Sequence, residues 1–303
     1  MSSTKITIVE VGPRDGLQSE PEILPTDSKV QFIQKAIDAG ITRLEVASFV
    51  HPKLVPQMAD AEALIERLPT VDGVSYIGLV MNERGLDRAL TTKIDEIGMV
   101  VVASDTYNRK NQGCSSSESV SAWHRISAKA KAGGLRANVM ISSAFGCPYE
   151  GVVEIYRVVE LAKQVVESEP AELGIADSIG VAVPNQVADV LGRVKEVIGE
   201  IPLRCHFHNT RNTGLANAQA AVDVGVTYLD ASIGGIGGCP FAPAATGNIP
   251  TDDLLYLLDR SGVITGVSLE KIIAVSGWLE EELGRGVPAL LPKAGGFPTG
   301  KAA

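Results

Sequence analysis

The feature that most constrains this chain is a repeated alternation of short apolar, β-branched runs with longer runs of helical periodicity. Strand-like runs fall near 5–11 (KITIVEV), 42–47 (TRLEVA), 74–80 (VSYIGLV), 95–102 (DEIGMVVV), 135–142 (LRANVMIS), 171–176 (AELGIA), 201–208 (IPLRCHFH) and 226–231 (VTYLDA). Helical patterns occupy the intervals, near 26–38, 57–68, 83–90, 117–132, 150–167, 184–198 and 213–223, with one more at 251–260. In the 150–167 segment, Val152, Ile155, Val159, Ala162 and Val166 recur on one face, opposite Arg157, Glu160 and Gln164. Strands that alternate with helices pair in parallel, and eight such units predict a closed α/β barrel of the TIM (β/α)8 type. The alternative is an open doubly wound sheet, whose first strand should lead into G-x-G-x-x-G. Here Gly12-Pro13-Arg14-Asp15-Gly16 follows instead. Beyond about 266, the stretch from Val267 to Leu283 predicts one or two additional C-terminal helices, and 287–303 reads as a loose Pro/Gly-rich tail. No linker divides the chain, so residues 1–303 are expected to form one barrel domain with that helical extension.

With 45% apolar residues the chain can bury a large core. A net charge of −9 argues against nucleic-acid binding, which wants a basic face, though a local arginine or cation can still hold an anion. The four cysteines, Cys114, Cys147, Cys205 and Cys239, are scattered and form no C-x-x-C pair, as expected of a protein kept in a reducing compartment. No apolar run approaches the roughly 20 residues of a membrane span, and the N-terminal residues carry no signal or transit pattern. The expectation is a cytoplasmic protein without membrane or nucleic-acid partners.

In a barrel of this kind chemistry gathers where strands end and the following loops begin. His206 and His208 stand two apart at the end of the seventh strand, so both side chains share a face and can grip one metal ion. A packed or hydrogen-bonded pair of histidines would leave the same signature. Arg14 and Asp15 follow the first strand in Val-Gly-Pro-Arg-Asp-Gly, where Gly12, Pro13 and Gly16 favour a sharp bend; an ordinary turn with a salt bridge is the alternative. Asn248 follows the eighth strand and reads equally as a helix cap. Strands one, seven and eight are neighbours only if the barrel closes. Asp15, His206, His208 and Asn248 would then converge as a mixed N/O donor set, which suits Mg²⁺ or Mn²⁺ better than Zn²⁺. Ser232-Ile-Gly-Gly-Ile-Gly-Gly-Cys239 reads either as a loop that closes over substrate and delivers a thiol or as a flexible loop with an inert cysteine.

Taken together, VGPRDGLQ (11–18), EVASFVHPKLVPQMAD (45–60), FGCPYEG (145–151), DSIGVAVP (177–184), HFHNT (206–210) and GGIGGCPFAPAATGN (234–248) resemble the 3-hydroxy-3-methylglutaryl-CoA lyase family of metal-dependent barrel lyases, over about residues 5–283. The cysteine-bearing glycine loop is the most specific part of the match. The resemblance implies a divalent cation held by Asp15, His206, His208 and Asn248, with Arg14 beside the thioester carbonyl and Cys239 as a catalytic thiol. It also implies supporting carboxylates at Glu45 and Asp177, and a homodimer. The implied reaction is retro-Claisen cleavage of 3-hydroxy-3-methylglutaryl-CoA to acetyl-CoA and acetoacetate, with leucine breakdown as the default setting and Asp15 or His206 as proton carriers. Some residues depart from the family pattern. His206-Phe-His-Asn-Thr-Arg-Asn replaces H-C-H-D-T-Y-G, Asp252 stands where Glu is common, and Pro21 where Lys is common. Arg211 adds a cation near the mouth that would either favour another carboxylated acyl-CoA or pair with a surface acid. The same chemistry on a related 3-hydroxy-acyl-CoA such as citramalyl-CoA is therefore the alternative. A Claisen-type synthase is a further one, disfavoured because such synthases carry an extra domain.

Overall fold

The computed structural model describes residues 4–238 and 247–298. Eight parallel strands close into a barrel in chain order: β1 (Thr7–Glu10), β2 (Arg43–Ser48), β3 (Ser75–Leu79), β4 (Glu96–Val102), β5 (Arg136–Ser142), β6 (Leu173–Asp177), β7 (Leu203–Phe207) and β8 (Tyr228–Ala231). Closure is made by β1 on β8, with Thr7 opposite Tyr228 and Val9 opposite Asp230. Around the barrel lie α1 (Thr26–Asp38), α2 (Ala61–Arg67), α3 (Glu83–Ala89), α4 (Asp105–Gln112), α5 (Ser116–Ala132), α6 (Ile155–Val166), α7 (Pro184–Ile198), α8 (Gly214–Val224) and α9 (Thr251–Arg260). They are followed by α10 (Leu269–Leu283) and α11 (Leu291–Ala294). The TIM barrel with added C-terminal helices expected from the alternation is the observed fold.

The apolar core lies between strands and helices, because outward strand residues such as Leu44, Val46, Ile97 and Ile141 meet the buried faces of the helices. Trp123 of α5 is fully buried there, and its indole N–H donates to Val165 O of α6 at 2.8 Å. Local chemistry sets the helix ends. Ser115 and Glu118 form a reciprocal capping box at the start of α5, and Pro184 opens α7, where its missing N–H has no helical partner to lose.

Three expectations need correction. The buried face of α6 is Val158, Leu161, Ala162 and Val165, one residue out of step with the predicted stripe, and Val152 is exposed. The helix starts only at Ile155, because Cys147 and Gly151 pair in a tight bridge that holds the preceding residues out of it. Helix α4 escapes sequence reading because DTYNRKNQ has no apolar periodicity. It exists through its caps, the Ser104 hydroxyl accepting from Tyr107 N and Gly113 in a left-handed conformation. The tail after 287 is not loose as far as residue 294. Val287 and Ala289 are buried, and the Asp253 carboxylate accepts from the backbone N–H groups of Leu290 and Leu291.

The barrel interior is unusually polar for a fold normally filled by branched apolar layers. Arg43, Glu45, Glu96, Asn138, Glu172, Arg204 and Asp230 are all buried, and they pair across the barrel, as in Arg43 to Glu172 and Arg204 to Glu45.

Candidate metal centre and active site

The site begins with the turn after β1. Glu10 is fully buried, and its Oε1 accepts from the backbone N–H groups of Gly12 and Ile233, each at 2.9 Å, while Oε2 accepts from the Thr251 hydroxyl at 2.7 Å. This one carboxyl therefore clamps the Gly12–Gly16 turn to the root of the glycine loop. A Cβ on Gly12 would lie 2.5 Å from Glu10 Oε1, so only glycine fits without displacing the clamp. Burial raises the Glu10 pKa to about 8 against the pull of these donors. The turn carries Arg14 and Asp15 to the barrel mouth, where Arg14 Nη1 donates to Asp15 Oδ1 at 2.7 Å and the same guanidinium binds Glu45.

The histidine pair at the end of β7 faces inward as expected, with ring centroids 5.1 Å apart. One donor atom from each of Asp15, His206 and His208 lies within 4.8 Å of the others. Asn248, bridged through the backbone to His208, donates from Nδ2 to Asp15 Oδ2 at 2.9 Å. Of the buried side-chain atoms that lack a hydrogen-bond partner among the described residues, His208 Nδ1 and Asn248 Oδ1 belong to this group. Such orphaned acceptors carry a cost of about 1–3 kcal/mol each when nothing satisfies them. Two orphans beside a carboxylate and a second imidazole fit a divalent cation's mixed N/O donor set.

Electrostatics suits the same reading. Burial pushes the Asp15 carboxyl upward, but Arg14 and the two imidazoles outweigh it and hold the group well below the usual carboxylate range, so it is an anion throughout. Burial, helped by His206, pushes the His208 pKa down to about 4, leaving a neutral ring with a lone pair to give. His206 goes the other way. Burial lowers it, but the hydrogen bond and charge of Asp230, whose Oδ2 lies 3.0 Å from Nδ1, prevail and raise it. With Nδ1 engaged, Nε2 is the nitrogen left for the cation position.

Other residues fall elsewhere. Glu45 lies beside the site, holding Arg14 on one oxygen and Arg204 on the other. Asp177 does not line the cavity. Strand alternation turns Ala176 and Ser178 inward, and the Asp177 carboxylate accepts from Val181 N and Ala182 N, fixing the loop after β6. Among the described residues, Arg211 pairs with no acid and does not line the cavity. Its Nη1 donates to the carbonyls of Ile179 and Gly180, tying two loops together. Asp252 accepts from Gly234 N at 2.8 Å and from the Ser276 hydroxyl, securing the start of the glycine loop against α10. Cys239 lies outside the described residues. Sequence reading missed Asp230 and Arg204. The available signal was alternation, since Arg204 is two residues before His206 and shares its face.

Arg14, Asp15, Glu45, His206, His208 and Asp230 stand on the wall of a cavity of about 930 Å³ that opens at the mouth and runs past Met140 and Gly174 into the barrel. No described helix is long and apolar enough to cross a membrane.

The HMGL-like family model matches residues 5–278. The chain belongs to the HMGL-like family. Within that lyase family it is 43% identical over 300 residues to an (R)-citramalyl-CoA lyase of Chloroflexus aurantiacus, covering 96% of this chain and 95% of that one. It is 40% identical to the hydroxymethylglutaryl-CoA lyase YngG of Bacillus subtilis, covering 94% and 95%. A Bacillus subtilis HMG-CoA lyase crystal structure superposes with a TM-score of 0.93 at 39% identity, covering 97% of this chain and 99% of that one. An Acinetobacter baumannii HMG-CoA lyase, solved with coenzyme A and 3-methylmalate, gives 0.95 at 35% identity, covering 100% and 99%. The resemblance seen in the motifs is thus borne out for the whole barrel of this HMGL-like chain.

Proposed function

We propose that the chain is a divalent-cation-dependent carbon–carbon lyase that cleaves 3-hydroxy-3-methylglutaryl-CoA to acetyl-CoA and acetoacetate. The observation that carries this reading is the meeting of Asp15, His206 and His208 within 4.8 Å beside Arg14, on the wall of one deep cavity. Asp15, His206, His208 and Asn248 would hold the cation, with Mg²⁺ or Mn²⁺ fitting that donor set. Such a cation supplies Lewis acidity and orientation for a substrate hydroxyl and its neighbouring carboxylate.

Breaking the bond between the α- and β-carbons requires the 3-hydroxyl proton to leave, a ketone to form at that carbon, and the electron pair to pass to the thioester carbonyl. Arg14 is placed to meet the negative charge that builds on the thioester oxygen. A preorganised donor of this kind is worth about 3–4 kcal/mol. Glu45 and Asp15 hold its guanidinium in place on two sides. Asp15, kept ionised, would take the hydroxyl proton, since His206 has Nδ1 engaged by Asp230 and Nε2 turned to the cation position. The acetyl-CoA enolate takes up a proton at carbon, a role assigned to Cys239 on its motif alone.

The cleavage of citramalyl-CoA to acetyl-CoA and pyruvate is the second reading, favoured by the identity to the Chloroflexus aurantiacus lyase. The two substrates differ by one methylene in the carboxylate arm, and one methylene separates rates by about 10–200-fold. A panel of both thioesters, with excess EDTA and with Mg²⁺ or Mn²⁺ restored, tests the proposal. Cation-dependent release of acetyl-CoA and acetoacetate is expected, with pyruvate from citramalyl-CoA as the outcome that favours the second reading. Unchanged turnover in EDTA would remove the cation from the mechanism. A cytoplasmic homodimer serving leucine breakdown accords with this activity.

A further inference from the structure

A closed circuit of paired charges runs behind the candidate cation position. Asp15 Oδ1 accepts from Arg14 Nη1 at 2.7 Å, and Arg14 binds Glu45 Oε1. Glu45 Oε2 accepts from Arg204 Nη2 at 3.2 Å. Arg204 grips Asp230 with a fork, Nε to Oδ1 at 2.5 Å and Nη2 to Oδ2 at 3.0 Å, while its Nη1 donates to Glu172 at 3.2 Å. Asp230 Oδ2 meets His206 Nδ1 at 3.0 Å, and His206 faces Asp15 across the cation position. Six side chains from three strands and one turn therefore link the two sides of the site. Arg204, Asp230 and Glu45 are each no more than 5% exposed, so water does not compete for these bonds.

An imidazole offers a lone pair on one nitrogen only when the proton sits on the other, and the group bonded to that other nitrogen decides where the proton sits. A carboxylate at Nδ1 calls for N–H there and leaves Nε2 as the donor to a cation. Asp230 can do this only while its own orientation is fixed. The two parallel bonds from Arg204 fix it, in a geometry that a guanidinium makes and an ammonium cannot. The third arm of the circuit, from Arg204 to Glu45, carries the same constraint to Arg14.

We propose that Asp230 and Arg204 are positioning residues. Asp230 presents His206 to the cation as the Nδ1-protonated tautomer, and Arg204 couples that ring to Arg14 through Glu45. The proposal rests on Asp15, His206 and His208 being the cation's ligands, and the test separates the two claims. Mn²⁺ is titrated into the metal-stripped full-length chain, and the free-ion paramagnetic resonance signal is followed beside a melting curve for each variant. Wild-type protein should take up Mn²⁺ and His208→Ala should lose it. A wild-type chain that binds no Mn²⁺, or a His208→Ala chain that binds it unchanged, overturns the ligand assignment itself.

With that control in hand, folded Asp230→Asn should bind Mn²⁺ about 10–100-fold more weakly, the usual effect of removing a partner of a ligating histidine. A folded Asp230→Asn chain with wild-type Mn²⁺ affinity overturns the assignment of Asp230, because a residue needed only for folding would move the melting curve and leave the affinity alone. Arg204→Lys keeps a buried positive charge among the carboxylates, so it tests the circuit even where Asp230→Asn does not fold. It should weaken Mn²⁺ binding and lower kcat about 10-fold with KM little changed. Wild-type affinity and kcat in Arg204→Lys overturn the coupling.

Discussion

Asn248 donates from Nδ2 to Asp15 Oδ2 at 2.9 Å, a contact between residues 233 positions apart in the chain. It exists because β1 and β8 pair at the closure of the barrel, so the candidate cation site is assembled by the same event that seals the sheet. Asn248 Oδ1 is itself buried and without a hydrogen-bond partner among the described residues. Asn248→Ala should therefore weaken Mn²⁺ binding by about 10-fold or more, the effect of losing one oxygen ligand or its orientation. Direct titration of Mn²⁺ checks this, and an unchanged affinity would take Asn248 out of the donor set.

Arg14 makes a different prediction because its proposed role is toward the thioester rather than the cation. Arg14→Met should lower kcat by about 10²–10³-fold, the cost of one preorganised charge-stabilising donor. Mn²⁺ should still bind, because all four donor side chains remain, although Asp15 loses its hydrogen bond from Arg14. Steady-state kinetics and the same titration separate these effects. Wild-type turnover would end the assignment of Arg14 to the thioester oxygen.

Cation affinity should depend on pH with a definite sign. Asp230 outweighs burial and raises the His206 pKa above the ordinary histidine value of about 6.5, while His208 is pushed down to about 4. A cation needs both rings neutral, so binding expels the His206 proton below that raised value. Mn²⁺ affinity should therefore fall about tenfold per pH unit once pH drops below the raised His206 pKa, and level off above it. Titrations from acid to mildly alkaline pH test this. A flat profile down to pH values near 4 would show that His206 is not a ligand.

Glu10 should make the fold itself pH-sensitive. Its pKa is raised from 4.5 to about 8 by burial. Between those values the folded chain keeps a proton that the unfolded chain releases, so this group's contribution to stability falls as pH rises through the window and is constant above about 8. Glu10→Gln cannot ionise, yet it can still accept from Gly12 and Ile233, with the Thr251 hydroxyl reversed to accept from the amide. The variant's melting temperature should gain on wild type steadily from pH 5 to pH 8, by an amount of order a few kcal/mol in stability. A constant difference across that range would mean that Glu10 is ionised in the folded protein.

The alternation of runs, the two-residue spacing of His206 and His208, and the position of Asp15 and Asn248 after the first and last strands were all legible in the chain. Each depends on local geometry, strand and helix periodicity, or on one topological step, the closure of eight units. Local periodicity failed where its assumptions did. A bridge at Cys147–Gly151 delayed α6 and shifted its buried face, and α4 stands on caps rather than on an apolar stripe.

Which charges meet inside the barrel was decided by tertiary structure alone. Arg204 finds Asp230 on the next strand and Glu45 across the lumen, Asp177 turns to backbone amides, and Arg211 turns to two carbonyls. A long side chain's partner depends on strand stagger, on the inward or outward phase of its neighbours, and on which donors burial leaves unsatisfied. Sequence spacing carries the phase within one strand. Only the closed barrel sets the phases of eight strands against one another.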